Sequence, residues 1–338
     1  MKKRIGLLNI ILFLALISTP VLSFAGNGDD VEKKKTISKS YPVTASDKLS
    51  IENSFGDVLI NTWDKNEIKV DIEIVAEAST DEKAQNILDE IEVQENRSGN
   101  LISFKTDVGE IHGKNNKGRN KENNRTFHID YTIYMPAVNP LEIENSFGKT
   151  KVPDMKGEVN LTSKFGGLTT GKLDNVDEID VEFGEASIGQ VHNGKITFKF
   201  NSKSSIEKVS GSIKINSEFS GNVRFTVDND IDELSVNESY STIRMSVTKN
   251  LSANFDIHTS FGSFHNSTGF NIAEEKDDDD NGPKFDKDYA GKAGAGKAKI
   301  KIKSSFGKVR LSDIDDKSID DKDEKEGKES SRKKNVNI

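Results

Sequence analysis

The octapeptide Ile143-Glu-Asn-Ser-Phe-Gly-Lys-Thr150 recurs with variation along most of this chain, and that recurrence limits the fold more tightly than any bulk property does. It stands earlier as Ile51-Glu-Asn-Ser-Phe-Gly-Asp-Val58. It returns from Leu161, Val236, Ile257 and Ile302, and more loosely from Ile179 and Ile215. Each copy has an apolar residue, an aromatic four later and, usually, an apolar residue three after that. The first positions run 143, 161, 179 and then 215, 236, 257, which are spacings of 18 and 21 residues. A fixed period in that range marks stacked repeats.

The intervals alternate with period two, as in Lys195-Ile-Thr-Phe-Lys-Phe200 and Gly211-Ser-Ile-Lys-Ile215, so the repeated unit is built of strands. A unit of this length has no room for a helix. Two or three short strands with Gly, Asn or Ser corners fill it, and such units stack at about 4.8 Å as coils of a β-solenoid. This register predicts that Phe147, Phe165, Phe183, Phe219, Tyr240, Phe261 and Phe306 form one internal column. The Gly after most of these aromatics marks a corner needing positive φ or close backbone approach. Asn53, Asn145, Ser163, Ser217, Thr259 and Ser304, two before the aromatic, form a candidate polar ladder.

Residues 1–25 read as an export signal: Lys2, Lys3 and Arg4 precede an apolar run, and Ser23-Phe-Ala25 offers a small-x-small cleavage site. Loss of those three cations takes the formal net charge from −8 to −11, which argues against a nucleic-acid partner. The chain has no cysteine, so disulfides, thiolate chemistry and a lipidated Cys are excluded. Residues 26–45 read as a charged linker and 46–312 as the repeat domain. One short helix is expected near the N-terminal end of that domain, at about 80–91, where Ser79-Thr-Asp-Glu82 precedes Ala84, Ile87, Leu88 and Ile91 at helical spacing. Residues 272–298 read as an acidic insertion, and 313–338, mixing Asp, Glu and Lys, as a disordered charged tail.

No catalytic constellation stands out. The five histidines have no metal-ligand spacing, and acids alternating with apolar residues are what any solvated strand face shows. Calcium is the one cofactor the sequence offers: Asp277, Asp279 and Asn281 fall at positions 1, 3 and 5 of a calcium loop, with Gly282 at 6 and Asp288 at 12. The match lacks flanking helices and has Lys284 where an apolar residue is usual. A further pattern comes from register. Lys151, Arg244, His265 and Arg310 each lie eight after the first residue of their copies, and Arg224 nine after, so stacked copies would align them as a basic stripe suited to an anionic glycan.

Tyr131-Thr-Ile-Tyr-Met-Pro136 running into Leu141-Glu-Ile-Glu-Asn-Ser-Phe-Gly148, with Phe-Gly copies after it and a closing Ile302-Lys-Ser-Ser-Phe-Gly-Lys-Val-Arg-Leu311, resembles the exported bacterial β-strand-repeat family of unknown function named putative adhesin. The resemblance spans roughly Leu49 to Ser312. It implies a right-handed parallel β-helix on the envelope of a Gram-negative cell and carries no catalytic residues. The expectation is therefore an all-β, exported, non-enzymatic binding or structural module placed in the periplasm, at the outer-membrane surface or outside the cell. Its partner would be an envelope or extracellular polysaccharide or another surface protein. The rival readings are a β-helix polysaccharide-degrading enzyme and a periplasmic accessory of envelope stress signalling.

Overall fold

A computed structural model describes residues 30–109, 126–275 and 285–315. The residues described are almost all strand. β1 (Val31–Pro42), β2 (Lys48–Ser54), β3 (Val58–Thr62) and β4 (Glu67–Ala78) precede α1 (Asp81–Glu90), the one helix among the described residues. β5 (Glu92–Ser98), β6 (Leu101–Asp107) and β7 (Thr126–Met135) follow it. Then come β8 (Leu141–Ser146), β9 (Lys149–Val152), β10 (Met155–Lys164), β11 (Gly167–Thr170), β12 (Leu173–Glu182), β13 (Glu185–Lys199), β14 (Lys203–Glu218) and β15 (Asn222–Ser239). The chain closes with β16 (Thr242–Val247), β17 (Ala253–Ser260), β18 (Ser263–Asn266), β19 (Asn271–Glu274), β20 (Asp286–Ala293), β21 (Ala298–Ser305) and β22 (Lys308–Asp313).

These strands belong to one open sheet, and the repeat spacing is its register. Leu161 pairs with Ile143 and with Ile179, parallel in both directions. One file of parallel strands runs β6, β2, β8, β10, β12, then the C-terminal halves of β13, β14 and β15, then β21 and β17. A second runs β7, β3, β9, β11, the N-terminal halves of β13, β14 and β15, then β16, β22 and β18. Both files depart from chain order at their ends: β2 sits between β6 and β8, and β21 between β15 and β17.

Antiparallel strands finish the files. β1 and β4 pair antiparallel outside β7, β5 outside β6, and β20 with β19 outside β17. An open parallel edge would invite addition of further strands, and reversing the last strands blunts it. Residues 31–42, expected as part of a charged linker, are thus a strand, because Ile37 and Tyr41 pack on the core, and Lys33 and Lys39 on the same face are half-buried and paired with Asp81 and Glu95. Likewise Asp286–Ala293 of the expected insertion is strand β20. Residues 1–29 and 316–338, which include the expected export signal and most of the expected charged tail, lie outside the described residues.

The helix falls at the predicted residues but a quarter of the way along the chain rather than near its start, against the antiparallel end strands β1 and β4. Thr80 Oγ1 caps it by accepting from the Lys83 N–H at 3.3 Å, and Ala84, Ile87 and Leu88 are the buried face.

The core is made by the first apolar residues of the copies: Ile143, Leu161, Ile179, Ile196, Ile215, Val236, Ile302 and Ile257 are at most 1% exposed. The expected internal aromatic column is corrected. Phe147, Phe165, Phe183, Phe219, Tyr240, Phe261 and Phe306 do stack as one column, but on the outside, each 46–54% exposed. Alternation from Ile143 through Asn145 would point residue 147 inward. Strand β8 instead ends at Ser146, and Phe147 takes φ +59°, which swings its ring out at the corner.

The glycine that follows answers a close approach rather than a positive φ. A Cβ at Gly148 would lie 1.8 Å from the Gly56 carbonyl oxygen, and one at Gly166 would lie 1.9 Å from that of Gly148. The corners nest backbone on backbone, so only hydrogen fits.

Candidate functional site

The predicted basic residues share one row. Parallel pairing aligns Leu59, Lys151, Thr169, Ser187, Ser205, Arg224, Arg244, Arg310 and His265 across the second file of strands. Arg224, Arg244, Arg310 and His265 are consecutive; Lys151 stands apart, behind three neutral residues. Arg244 is only 9% exposed, and its Nε donates to Asn222 Oδ1 at 3.1 Å. The part of the row from Leu59 to Arg224 lines two shallow grooves, while Arg244, Arg310 and His265 lie outside both. One, of about 680 Å³, includes Lys149, Lys151, Thr169, Ser187, Lys203 and Ser205, with Asp57, Asp130 and Glu185 at its sides. The other, of about 440 Å³, includes Ser187, Ser205 and Arg224 beside Glu207.

The first file presents a different outer surface. There Lys105 pairs with Glu52, Lys48 with Glu142, Lys195 with Glu178, and Lys199 with both Glu182 and Asp180. The hydrogen bond to Glu182 raises the Lys199 ammonium above its usual value, against some desolvation. Burial pushes the Asp180 carboxyl up, with Lys199 pulling it down. Charges on that side are answered across neighbouring strands, as opposite signs on facing positions should be.

Of the calcium-loop residues, Asp277, Asp279 and Asn281 lie outside the described residues. Asp288 lies on β20, where its Oδ1 meets His258 Nδ1 at 2.7 Å. Among the described residues no group of His, Asp and Glu is placed to hold a metal ion.

The polar ladder forms under the corner. Asn53, Asn145, Ser163, Ser217, Ser304 and Thr259 fall in one buried row, with Val181 and Phe198 interposed. Asn53 Nδ2 donates to Asn145 Oδ1 at 3.2 Å, and Asn145 Nδ2 to the Gly56 carbonyl at 3.1 Å. Glu238 occupies the place in this row between Ser217 and Ser304 and is 4% exposed. Sequence reasoning missed it, although Glu238 stands two before Tyr240 just as Asn145 stands two before Phe147. Its Oε1 accepts from the Ser241 N–H at 2.7 Å.

Burial pushes the Glu238 carboxyl above the usual range, while the neighbouring Ser304 hydroxyl and the hydrogen bond from the Ser241 N–H pull the other way. The folded chain then keeps this proton to higher pH than the unfolded chain does. The contribution to stability is fullest below the ordinary glutamate value of 4.5 and falls as pH rises through the raised one. Glu238→Gln is expected to raise the melting temperature at neutral pH and to flatten its decline from acid to neutral pH, measured by circular-dichroism melts; equal slopes for the two chains would contradict this.

The outward aromatic column is longer than its predicted members. Phe55, Phe147, Phe165, Phe183, Phe200, Phe219, Tyr240, Phe306, Phe261 and Phe285 stack in that spatial order, with centroids 4.8–5.3 Å apart and planes within 15°. Phe200 was missed because its copy, from Ile196, breaks the 18-residue spacing by one. All but Phe285 take φ between +50° and +66°, a region that bulky residues rarely occupy.

No family model matches the chain, and no curated protein matches it. Among solved structures, it is similar to a putative adhesin from Bacteroides fragilis (15% identity, 83% of this chain and 97% of that one, TM-score 0.33). It is also similar to a putative cell adhesion protein from Clostridium sporogenes (15% identity, 83% and 100%, TM-score 0.26). A putative lipid binding protein from Parabacteroides distasonis matches at 12% identity over 85% and 98% of the chains, with a TM-score of 0.31. The first two names agree with the family the repeat sequence resembles. At these scores the likenesses carry no argument about ligand or chemistry.

Proposed function

We propose that this chain is an exported, non-enzymatic binding module whose repeat domain, residues 46–312, is a right-handed parallel β-solenoid that holds an anionic glycan along its basic row. The observation that carries the reading is the consecutive placement of Arg224, Arg244, Arg310 and His265 in one register line, continued by polar Thr169, Ser187 and Ser205 to Lys151. Guanidinium groups at the strand spacing of about 4.8 Å suit a linear polyanion better than a compact ligand, because each adds one weak contact along the row. No helix among the described residues is long and apolar enough to cross a membrane. Calcium in the segment around Asp277, Asp279, Asn281 and Asp288 is a subsidiary proposal, checked by calorimetric titration with the ion.

Binding of polygalacturonate, measured by titration calorimetry at low salt, should weaken steeply as salt approaches about 0.15 M, where exposed charges are screened beyond about 8 Å. Arg224→Glu is the better probe than a change at buried Arg244, since a half-buried site avoids trapping an acid in the wall. It is expected to reduce affinity about tenfold with the melting temperature unchanged. Unaltered affinity in Arg224→Glu removes the row as the binding surface. Release of reducing or unsaturated ends from the polymer would favour the degrading enzyme instead.

A further inference from the structure

The ten-ring column has a different chemistry from the basic row, and its length sets it apart from ordinary surface aromatics. Nine of the rings, all but Phe55, are about half exposed and leave on the order of 100 Å² each, so together they supply roughly 900 Å² of nearly continuous apolar surface. The largest apolar patch on a typical monomer is about 300–600 Å², and a stable interface takes about 800 Å² from each partner. The ring faces are already covered by one another, so what the column offers is a ridge of ring edges repeating every 4.8–5.3 Å. Nothing about a corner in this backbone region requires an aromatic residue, since Gly or Asn adopts it with less strain.

We infer that this ridge is a self-association surface, on which a second copy of the chain docks its own ridge antiparallel about a two-fold axis. A second copy matches the repeat over all ten rings, because its rings are spaced by the same strand separation; identical side chains facing each other in this way form dry zipper interfaces. Charge decides the orientation. The flank before the rings carries Lys164, Glu182, Lys199 and Glu218 among serines, in register order. The flank after them carries Asp57, Lys149, Glu185, Lys203 and Lys308. Parallel ridges related by a two-fold would bring opposite flanks together and set Glu182 against the partner copy's residue at 185, and Lys199 against its residue at 203. Both are like-charge contacts. Antiparallel ridges bring each flank against itself in reverse. With the axis between Phe200 and Phe219, the fifth and sixth rings, Lys199 faces Glu218 twice, and no like charges of these flanks meet.

Sedimentation velocity of the exported protein across micromolar concentrations tests this. The wild type is expected to dimerise, and Phe200→Asn with Phe219→Asn, which suits the backbone at both corners, to weaken dimerisation by about tenfold or more. The decisive arm is a mixture. Lys199→Glu and Glu218→Lys should each be monomeric alone and should form a heterodimer when mixed, a result that a role confined to one chain cannot produce. A wild type that stays monomeric overturns the proposal, as does a dimer indifferent to the ring substitutions or variants that fail to complement on mixing. Monomers that float with phosphatidylcholine vesicles only while the rings are intact would overturn it as well, assigning the ridge to lipid.

Discussion

A Gly166→Ala chain is expected to lose about 3 kcal/mol or more of unfolding free energy, among the largest effects of any single methyl group added to this protein. The new Cβ would lie 1.9 Å from the Gly148 carbonyl oxygen, and the obstacle is backbone, not a side chain that can rotate away. The same corner also receives the next repeat, since a Cβ at Gly184 would lie 2.1 Å from the Gly166 oxygen. Relief therefore requires moving repeats apart, which breaks parallel ladders on both sides; overpacking that flexible neighbours absorb costs about 1–3 kcal/mol, and this one cannot be absorbed. Urea unfolding followed by circular dichroism measures it. A loss below about 1 kcal/mol would mean that the corners do not nest as described.

The second large effect separates inside from outside within one octapeptide. Leu161→Ala removes a 1%-exposed side chain between Ile143 and Ile179 and is expected to cost about 2–5 kcal/mol, since strands held on both sides cannot close over the gap. Phe165→Asn removes a larger side chain four residues on. It forfeits two ring contacts, to Phe147 and Phe183 at 4.9 and 4.8 Å, each worth about 0.5–1.5 kcal/mol. Relief of the strain of holding Phe at φ +56° offsets part of that, so the net cost is about 1 kcal/mol. Equal costs at the two positions would return the aromatic column to the interior.

The parts of this architecture that follow from periodicity were legible in the chain. The spacing from Ile143 to Leu161 is the strand register, the row from Lys151 to Arg310 is a register line, and Ala84, Ile87 and Leu88 are the buried face of a helix. What periodicity does not carry is where a strand stops. Alternation extended one residue past Ser146 puts Phe147 inside, whereas the left-handed corner reverses it, and no residue type in Ser-Phe-Gly forces that corner before the backbone nesting at Gly148 is known. The return of β21 between β15 and β17 was equally hidden, because the copies are interchangeable in sequence and their order in space depends on which edges the end strands β4 and β20 occupy. For the candidate site, the basic residues were found by spacing. Burial of Arg244 and the acids beside the row, Asp57, Glu185 and Glu207, come from packing that the spacing leaves open.

Because the chain has no cysteine of its own, single-cysteine labelling tests the inside-outside assignment without a background. At protein concentrations low enough to keep copies apart, Phe165→Cys should react with a maleimide at nearly the rate of a free thiol. Leu161→Cys should stay unlabelled until urea unfolds the chain. Protection of the thiol at 165 together with rapid labelling at 161 would contradict the outward aromatic column and the fold built around it.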